Sequence, residues 1–219
     1  MPHESTAIWQ TLFAEALELV DSASAIMNTE FVDWTFGGGT VLMLRHNHRI
    51  SRDVDIFVPD PQYLSYLSPR VNDVAASRTA VYEDKGNSLR FYFKDGEVDF
   101  IALPTLMANA YEQARLLDRS VRLETSAEIV VKKVWHRASA LKARDLFDIA
   151  LVIDREAGAL AAAANYLLER RDVLFRRLEQ HDAQLRVDFS ELDILDYRPT
   201  YDHCAATVRE FLRALRPAT

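Results

Sequence analysis

The 219-residue chain contains one cysteine, Cys204, which excludes an intramolecular disulfide and a Cys-rich zinc site. No apolar run approaches the ~20 residues that a membrane-spanning helix needs. The N-terminal Met1-Pro2-His3-Glu4 is not a basic region leading into an apolar stretch, so no secretory leader is expected, and the cytoplasm is the expected compartment. Basic charge is in short supply: 26 Lys and Arg face 33 Asp and Glu, a formal net charge of −7. That balance disfavours broad polyanion binding and leaves room only for a local basic site. Glycine is scarce too, with six in all, yet three are consecutive, Gly37-Gly38-Gly39. The triplet is not Gly-x-Gly-x-x-Gly and no Gly-Lys-Ser/Thr follows it, which argues against a Rossmann turn and a Walker loop.

The remaining composition, 49% hydrophobic and 27% charged, is that of an ordinary globular chain. Ile8, Leu12, Phe13, Ala16, Leu17, Leu19 and Val20 recur near helical spacing and predict a packing helix over 5–20. Residues 54–58 are short, β-branched and stopped by Pro59, and predict a strand. Residues 63–77 read as a helix, and 80–82 and 89–93 as strands. The runs 89–93 and 98–103 flank Lys94-Asp95-Gly96-Glu97 and predict a hairpin. From Ser126 the pattern turns helical over 127–140 and 143–154, with one or two helices within 157–185 and a last one over 201–215. The expected fold class is α+β: a mixed sheet with flanking helices, followed by a mostly α-helical C-terminal part.

Asp53 and Asp55 are two apart on the predicted strand, so both face one side. Two neighbouring carboxylates repel unless a cation lies between them, and Mg²⁺ prefers such hard oxygens together with water and substrate phosphates. Asp99 interrupts another apolar strand and would join them if the strands adjoin. The glycine triplet, leading into a predicted helix, lets backbone N–H groups approach a phosphate closely, and Thr40 adds a hydroxyl. Metal-bridged phosphates beside such a corner are the architecture of phosphoryl and nucleotidyl transfer.

Structural readings stand beside these. Arg49 is a surface arginine, a phosphate ligand or a partner of Asp55. Ser51 satisfies a turn or touches the ligand. Asp145 is placed as a helix cap, and Asp148 either joins a site or salt-bridges Lys133 or Arg137. Trp34 and Trp135 stack on a base or fill the core. His46, His48 and His136 form no zinc pattern and read as packing or solvated side chains.

Phe36 with the glycines, thirteen residues between Gly39 and Asp53, then Asp53-Val54-Asp55-Ile56 and later Val98-Asp99-Phe100 resemble the signature of the polymerase β-like nucleotidyltransferase superfamily. Gly38-Gly39-Thr40, the run Arg49-Ile50-Ser51-Arg52-Asp53-Val54-Asp55-Ile56-Phe57, and Lys133, Arg137 and Arg144-Asp145-Leu146-Phe147-Asp148 are similar to its AbiEii/AbiGii branch, which includes the MenT-type toxins. The resemblance spans roughly residues 36–154.

It implies a nucleotidyltransferase core over 1–115 and a helical domain over 116–219 that lends Lys133 and Asp148 to the site. It implies an NTP, ATP among them, bound by Gly38, Gly39 and Thr40 with Arg49 and Ser51. Asp53 and Asp55 would hold Mg²⁺, two ions being expected, and Asp99 would be a third ligand or the base. Lys133 would neutralise phosphate charge, with Lys132 competing for that role, and Asp148 would orient Lys133 or assist the metal. The implied activity is Mg²⁺-dependent transfer of an NMP to a tRNA 3′ end or a protein hydroxyl, by the toxin of a toxin–antitoxin pair with a possible cognate antitoxin. Two other classes stand beside it: a small-molecule, antibiotic-type nucleotidyltransferase, and a non-catalytic nucleotide-binding module.

Overall fold

The computed structural model describes residues 4–217, so part of the N-terminal stretch read for a leader lies outside it. The chain forms two units: residues up to 44 with 51–105 and 111–124, and residues 45–50 with 106–110 and everything from 125 onward.

The first unit carries helix α1 (Glu4–Met27), strand β1 (Thr35–Gly37), most of helix α2 (Gly38–His46), and strand β2 (Val54–Val58). Short helices α3 (Gln62–Leu67) and α4 (Asp73–Arg78) follow, then β3 (Tyr82–Asp84), β4 (Ser88–Phe93), β5 (Gly96–Ala102), β6 (Tyr111–Leu116) and β7 (Arg119–Glu124). All seven strands join one sheet in the order β3-β4-β5-β2-β1-β7-β6. β2 runs parallel to β5 and β1 parallel to β7, and the other pairs are antiparallel.

Strand alternation divides the sheet into two chemistries. In β2, Val54, Ile56 and Val58 are buried while Asp55 and Phe57 are half-buried. Ile56 pairs with Phe36 and Phe100, and Phe36 stacks on Phe13 of α1 at 4.6 Å between ring centroids. The predicted amphipathic helix thus covers the apolar face, where Leu12, Phe13, Ala16, Leu19 and Val20 are all buried. Asp55 points to the opposite face.

Two local expectations change. The helix predicted over 63–77 is two short helices, because Pro69 disfavours helical backbone at the residue before it, and Ser68 is extended at φ −65°, ψ 131°. The β6–β7 hairpin carries no glycine signal in sequence. Its turn residues Leu117 and Asp118 adopt φ of 45° and 63°, the left-handed values that tight hairpin turns require and that Gly or Asn usually supply.

The second unit holds α5 (Ser126–Arg137), a 3₁₀ turn (Ala138–Ala140), α6 (Ala143–Ala161), α7 (Ala164–Gln180), α8 (Asp182–Ser190) and α9 (Tyr201–Ala214). Thr125 caps α5 by accepting from Glu128 N–H. The Glu128 carboxylate accepts from the backbone N–H groups of Leu106 and Met107, both at 2.9 Å. Helix α6 packs on α5 and α9 around Leu146, Phe147, Ala150 and Leu151, all fully buried. Among the described residues, no helix is long and apolar enough to cross a membrane.

Candidate functional site

The polar face of the first unit's sheet is organised by register. Gly37 pairs with Asp55, Asp55 with Asp99, and Asp99 with Arg90. Residues directly opposite one another point to the same face, so these four positions form one row across β1, β2, β5 and β4.

Two glycines shape the row. Gly38, at the start of α2, has φ +73°, and a Cβ there would collide with the Asp55 carboxylate. A Cβ on Gly37 would collide with the Glu124 carboxylate and come within 2.8 Å of the Phe57 ring. Glycine is therefore needed at Gly38 for both conformation and space. Glu124, which sequence reasoning missed, is fully buried and accepts from Thr35 Oγ1 at 2.7 Å.

Thr40 is fully buried. Its hydroxyl donates to the Asp53 carbonyl at 2.5 Å and lies 3.1 Å from Ser51 Oγ. It thus pins the chain entering β2 to the first turn of α2, an observed role alongside the phosphate contact expected of it. Asp53 lies one residue before β2, and its Oδ1 accepts from Glu97 N–H at 3.3 Å. Asp99 is 7% exposed, and both its oxygens are taken by Arg90, through Nε at 2.7 Å and Nη2 at 2.6 Å. Arg90 Nη1 also reaches Glu97 at 3.0 Å. The Asp99 hydrogen bonds push the Arg90 pKa up. Arg90 was legible in principle: a two-residue turn after Phe93 sets Arg90 against Asp99.

Among the described residues, no group of three or more His, Cys, Asp or Glu side chains is arranged to hold a metal ion. Asp99 is buried against Arg90, while Asp53 and Asp55 are half-buried. Mg²⁺ commonly takes one or two protein carboxylates and fills its octahedron with water and substrate phosphate. The Asp55 carboxylate, against the start of α2, is a hard-oxygen donor that fits Mg²⁺, and the Asp53 carboxylate, on the Glu97 N–H, is a second donor of the same type.

The second unit gathers the other expected residues around Asp148, which is fully buried. Asp148 Oδ1 accepts from Arg49 Nε at 2.7 Å and lies 2.8 Å from His48 Nε2, while Oδ2 accepts from Arg49 Nη2 at 2.8 Å. Lys133 Nζ is 3.2 Å from Asp148 Oδ2 and 2.6 Å from Asp145 Oδ1. Asp145 Oδ2 also accepts from Lys142 N–H at 3.2 Å, so it caps α6 as the sequence suggested. Lys132 instead pairs with Glu128 at 3.5 Å. Of the two candidate lysines, Lys133 is the one that meets Asp148.

Burial alone would raise the Asp148 pKa. Arg49 and Lys133 beside it, with the His48 and Arg49 hydrogen bonds, outweigh that and hold it well below the usual carboxylate range. Burial likewise works against Asp145, and Lys133 and Arg137 overcome it to lower its pKa. His48, which sequence reasoning took only for a packing or solvated side chain, is fully buried and stacks on Phe147 at 5.7 Å. Burial lowers its pKa against the pull of Asp148. With bidentate Arg49, His48 and Lys133 around it, Asp148 has the contacts of an anchor for cations.

No curated protein matches the chain. Among solved structures, MenT4, a nucleotidyltransferase toxin from Mycobacterium tuberculosis H37Rv, superposes with a TM-score of 0.56 at 18% identity, covering 97% of this chain and 85% of that one. JHP933 from Helicobacter pylori gives a TM-score of 0.53 at 13% identity, with 97% and 92% covered. These likenesses speak for the fold. The profile of a family described as nucleotidyl transferase AbiEii toxin, type IV toxin–antitoxin system, matches residues 24–217 and so spans the glycine corner, the aspartate row and the Asp148 cluster alike. The chain belongs to that AbiEii family and is a nucleotidyltransferase.

Proposed function

We propose that this nucleotidyltransferase moves an NMP from an NTP to a hydroxyl of a macromolecule, a tRNA 3′ end or a protein, in a Mg²⁺-dependent reaction. It acts in the cytoplasm as the toxin of a toxin–antitoxin pair. The observation that carries this reading is the cross-strand row Gly37–Asp55–Asp99, with the start of α2 against the Asp55 carboxylate.

Gly38, Gly39 and Thr40 present the first-turn N–H groups of α2 to the triphosphate, where the helix dipole favours negative charge. Asp53 and Asp55 would hold Mg²⁺, as one or two ions, together with phosphate oxygens of the NTP. When bound, the metal neutralises charge on the α-phosphate and on the leaving pyrophosphate. Thr40 and Ser51 keep the Asp53 backbone in place. Both oxygens of Asp99 are on Arg90, so its part as third ligand or base begins with that pair opening.

Lys133 neutralises phosphate charge, and Asp148 orients Lys133 and Arg49 for it. Asp148 is held ionised by these partners, which suits a positioning group better than a proton acceptor.

The test is incubation with each α-radiolabelled NTP and Mg²⁺ in the presence of total tRNA and total protein. Label on one macromolecular fraction, lost with Asp55→Asn and with EDTA, is the expected result. Label on neither fraction but on a small acceptor would assign the antibiotic-type activity instead.

A further inference from the structure

On the same face of the sheet, one residue pair beyond Gly37–Asp55, Thr35 lies opposite Phe57. At the ~3.3 Å rise of a strand, that pair is about 7 Å along from the Asp55 row. An open cavity of about 320 Å³ begins there. Trp34, buried at 8% exposure, forms part of its wall, and Phe57 lines it. Tyr111 of β6 pairs with Glu124, whose carboxylate faces Gly37, so Tyr111 shares the face. Tyr111 is 41% exposed. Arg122 stacks its guanidinium over that ring at 5.2 Å and donates from Nη1 to Asp33 Oδ1 at 3.1 Å.

Three aromatic rings and a guanidinium plane around one opening make a site for a flat π-system. Phosphate is a poor fit, because Asp33 already neutralises Arg122. Arg122 N–H groups and the Asp33 carboxylate can serve the donor and acceptor edge of a heterocycle. We infer that the Trp34–Phe57–Tyr111–Arg122 cavity seats a nucleobase of a molecule reacting at the Asp55 row. The inference rests on the proposed transfer reaction for why a base should lie about 7 Å from that row. The base comes either from the NTP or from the end of an RNA acceptor.

The two sources separate in one experiment on the full chain. Binding of a non-hydrolysable NTP with Mg²⁺, and of an RNA trinucleotide, is measured by calorimetry for wild type, Tyr111→Leu, Tyr111→Phe and Arg122→Ala. Stacking on one aromatic is worth enough for about tenfold weaker binding in Tyr111→Leu, with Tyr111→Phe close to wild type. Both Tyr111 and Arg122 are partly exposed, and circular dichroism verifies the fold. Weakening confined to the NTP assigns the base of the donor; weakening confined to the trinucleotide assigns the acceptor's. Unchanged binding of both ligands in Tyr111→Leu and Arg122→Ala overturns the inference. Because the readout is binding, weaker binding of either ligand in Tyr111→Leu supports the base seat even where the wild type labels no macromolecule.

Discussion

Arg90 takes both oxygens of Asp99, through Nε at 2.7 Å and Nη2 at 2.6 Å, on the polar face that also carries Asp55. Asp99, expected as the third carboxylate of the site, is therefore a neutralised group and not an open ligand. Charge repulsion with Asp55 is relieved by a guanidinium before any metal arrives. Arg90→Gln and Asp99→Asn are expected to be strongly non-additive in urea unfolding, with a coupling of about 1 kcal/mol for a pair that is bidentate but about a third exposed on the arginine side. Additive losses would show that the pair contributes nothing of its own.

Asp53→Asn and Asp55→Asn should each lower transfer by about 10²-fold or more while leaving the far-UV spectrum and the unfolding midpoint close to wild type. Both carboxylates are half-buried, so neutralising them costs little folding energy. Turnover within a factor of two of wild type in either variant contradicts the metal assignment.

Gly38→Ala is expected to lose both activity and stability. The φ of +73° costs an L-residue about 1–2 kcal/mol, and the new methyl meets the Asp55 carboxylate. Gly158→Ala is the control, since a Cβ there meets nothing within 4 Å and its φ is not left-handed. Equal melting temperatures for the two variants would refute the steric reading.

Asp148→Asn should destabilise the chain by about 3–5 kcal/mol, because it leaves Arg49 and Lys133 buried with their shared counter-charge removed. Lys133→Met should be far more damaging to turnover than Lys132→Met. The reverse order for the lysines would place phosphate neutralisation on Lys132.

Acidification should unfold the protein in two stages. His46, His48 and His136 all have pKa values lowered from 6.5, mainly by burial. The unfolded chain then binds more protons than the folded one as pH falls below 6.5, so the stability present above 6.5 declines toward their folded values. Asp145 and Asp148, lowered from 3.8 by their cations, add a second loss that begins near pH 3.8 and deepens below it. His48→Gln should flatten the first stage in urea titrations at pH 7.5 and 5.5. An unchanged slope in that variant would remove His48 from the first stage.

The sequence alone determined the elements whose signals are local. Alternation in residues 54–58, helical spacing in α1 and the Gly-containing turn at 94–97 each depend on neighbours a few positions away. The same locality made the motifs legible, and the resemblance they carry pointed to Lys133, which the structure places on Asp148. Tertiary structure decided what depends on register and burial. That Asp99 belongs to Arg90, that Thr40 holds the Asp53 backbone, that Arg49 and His48 close on Asp148, and that Leu117-Asp118 turn a hairpin are outcomes of strand pairing and packing between residues up to 100 positions apart. A side chain's chemistry is written in its residue type, but the partner that saturates it is chosen only when the chain folds back on itself.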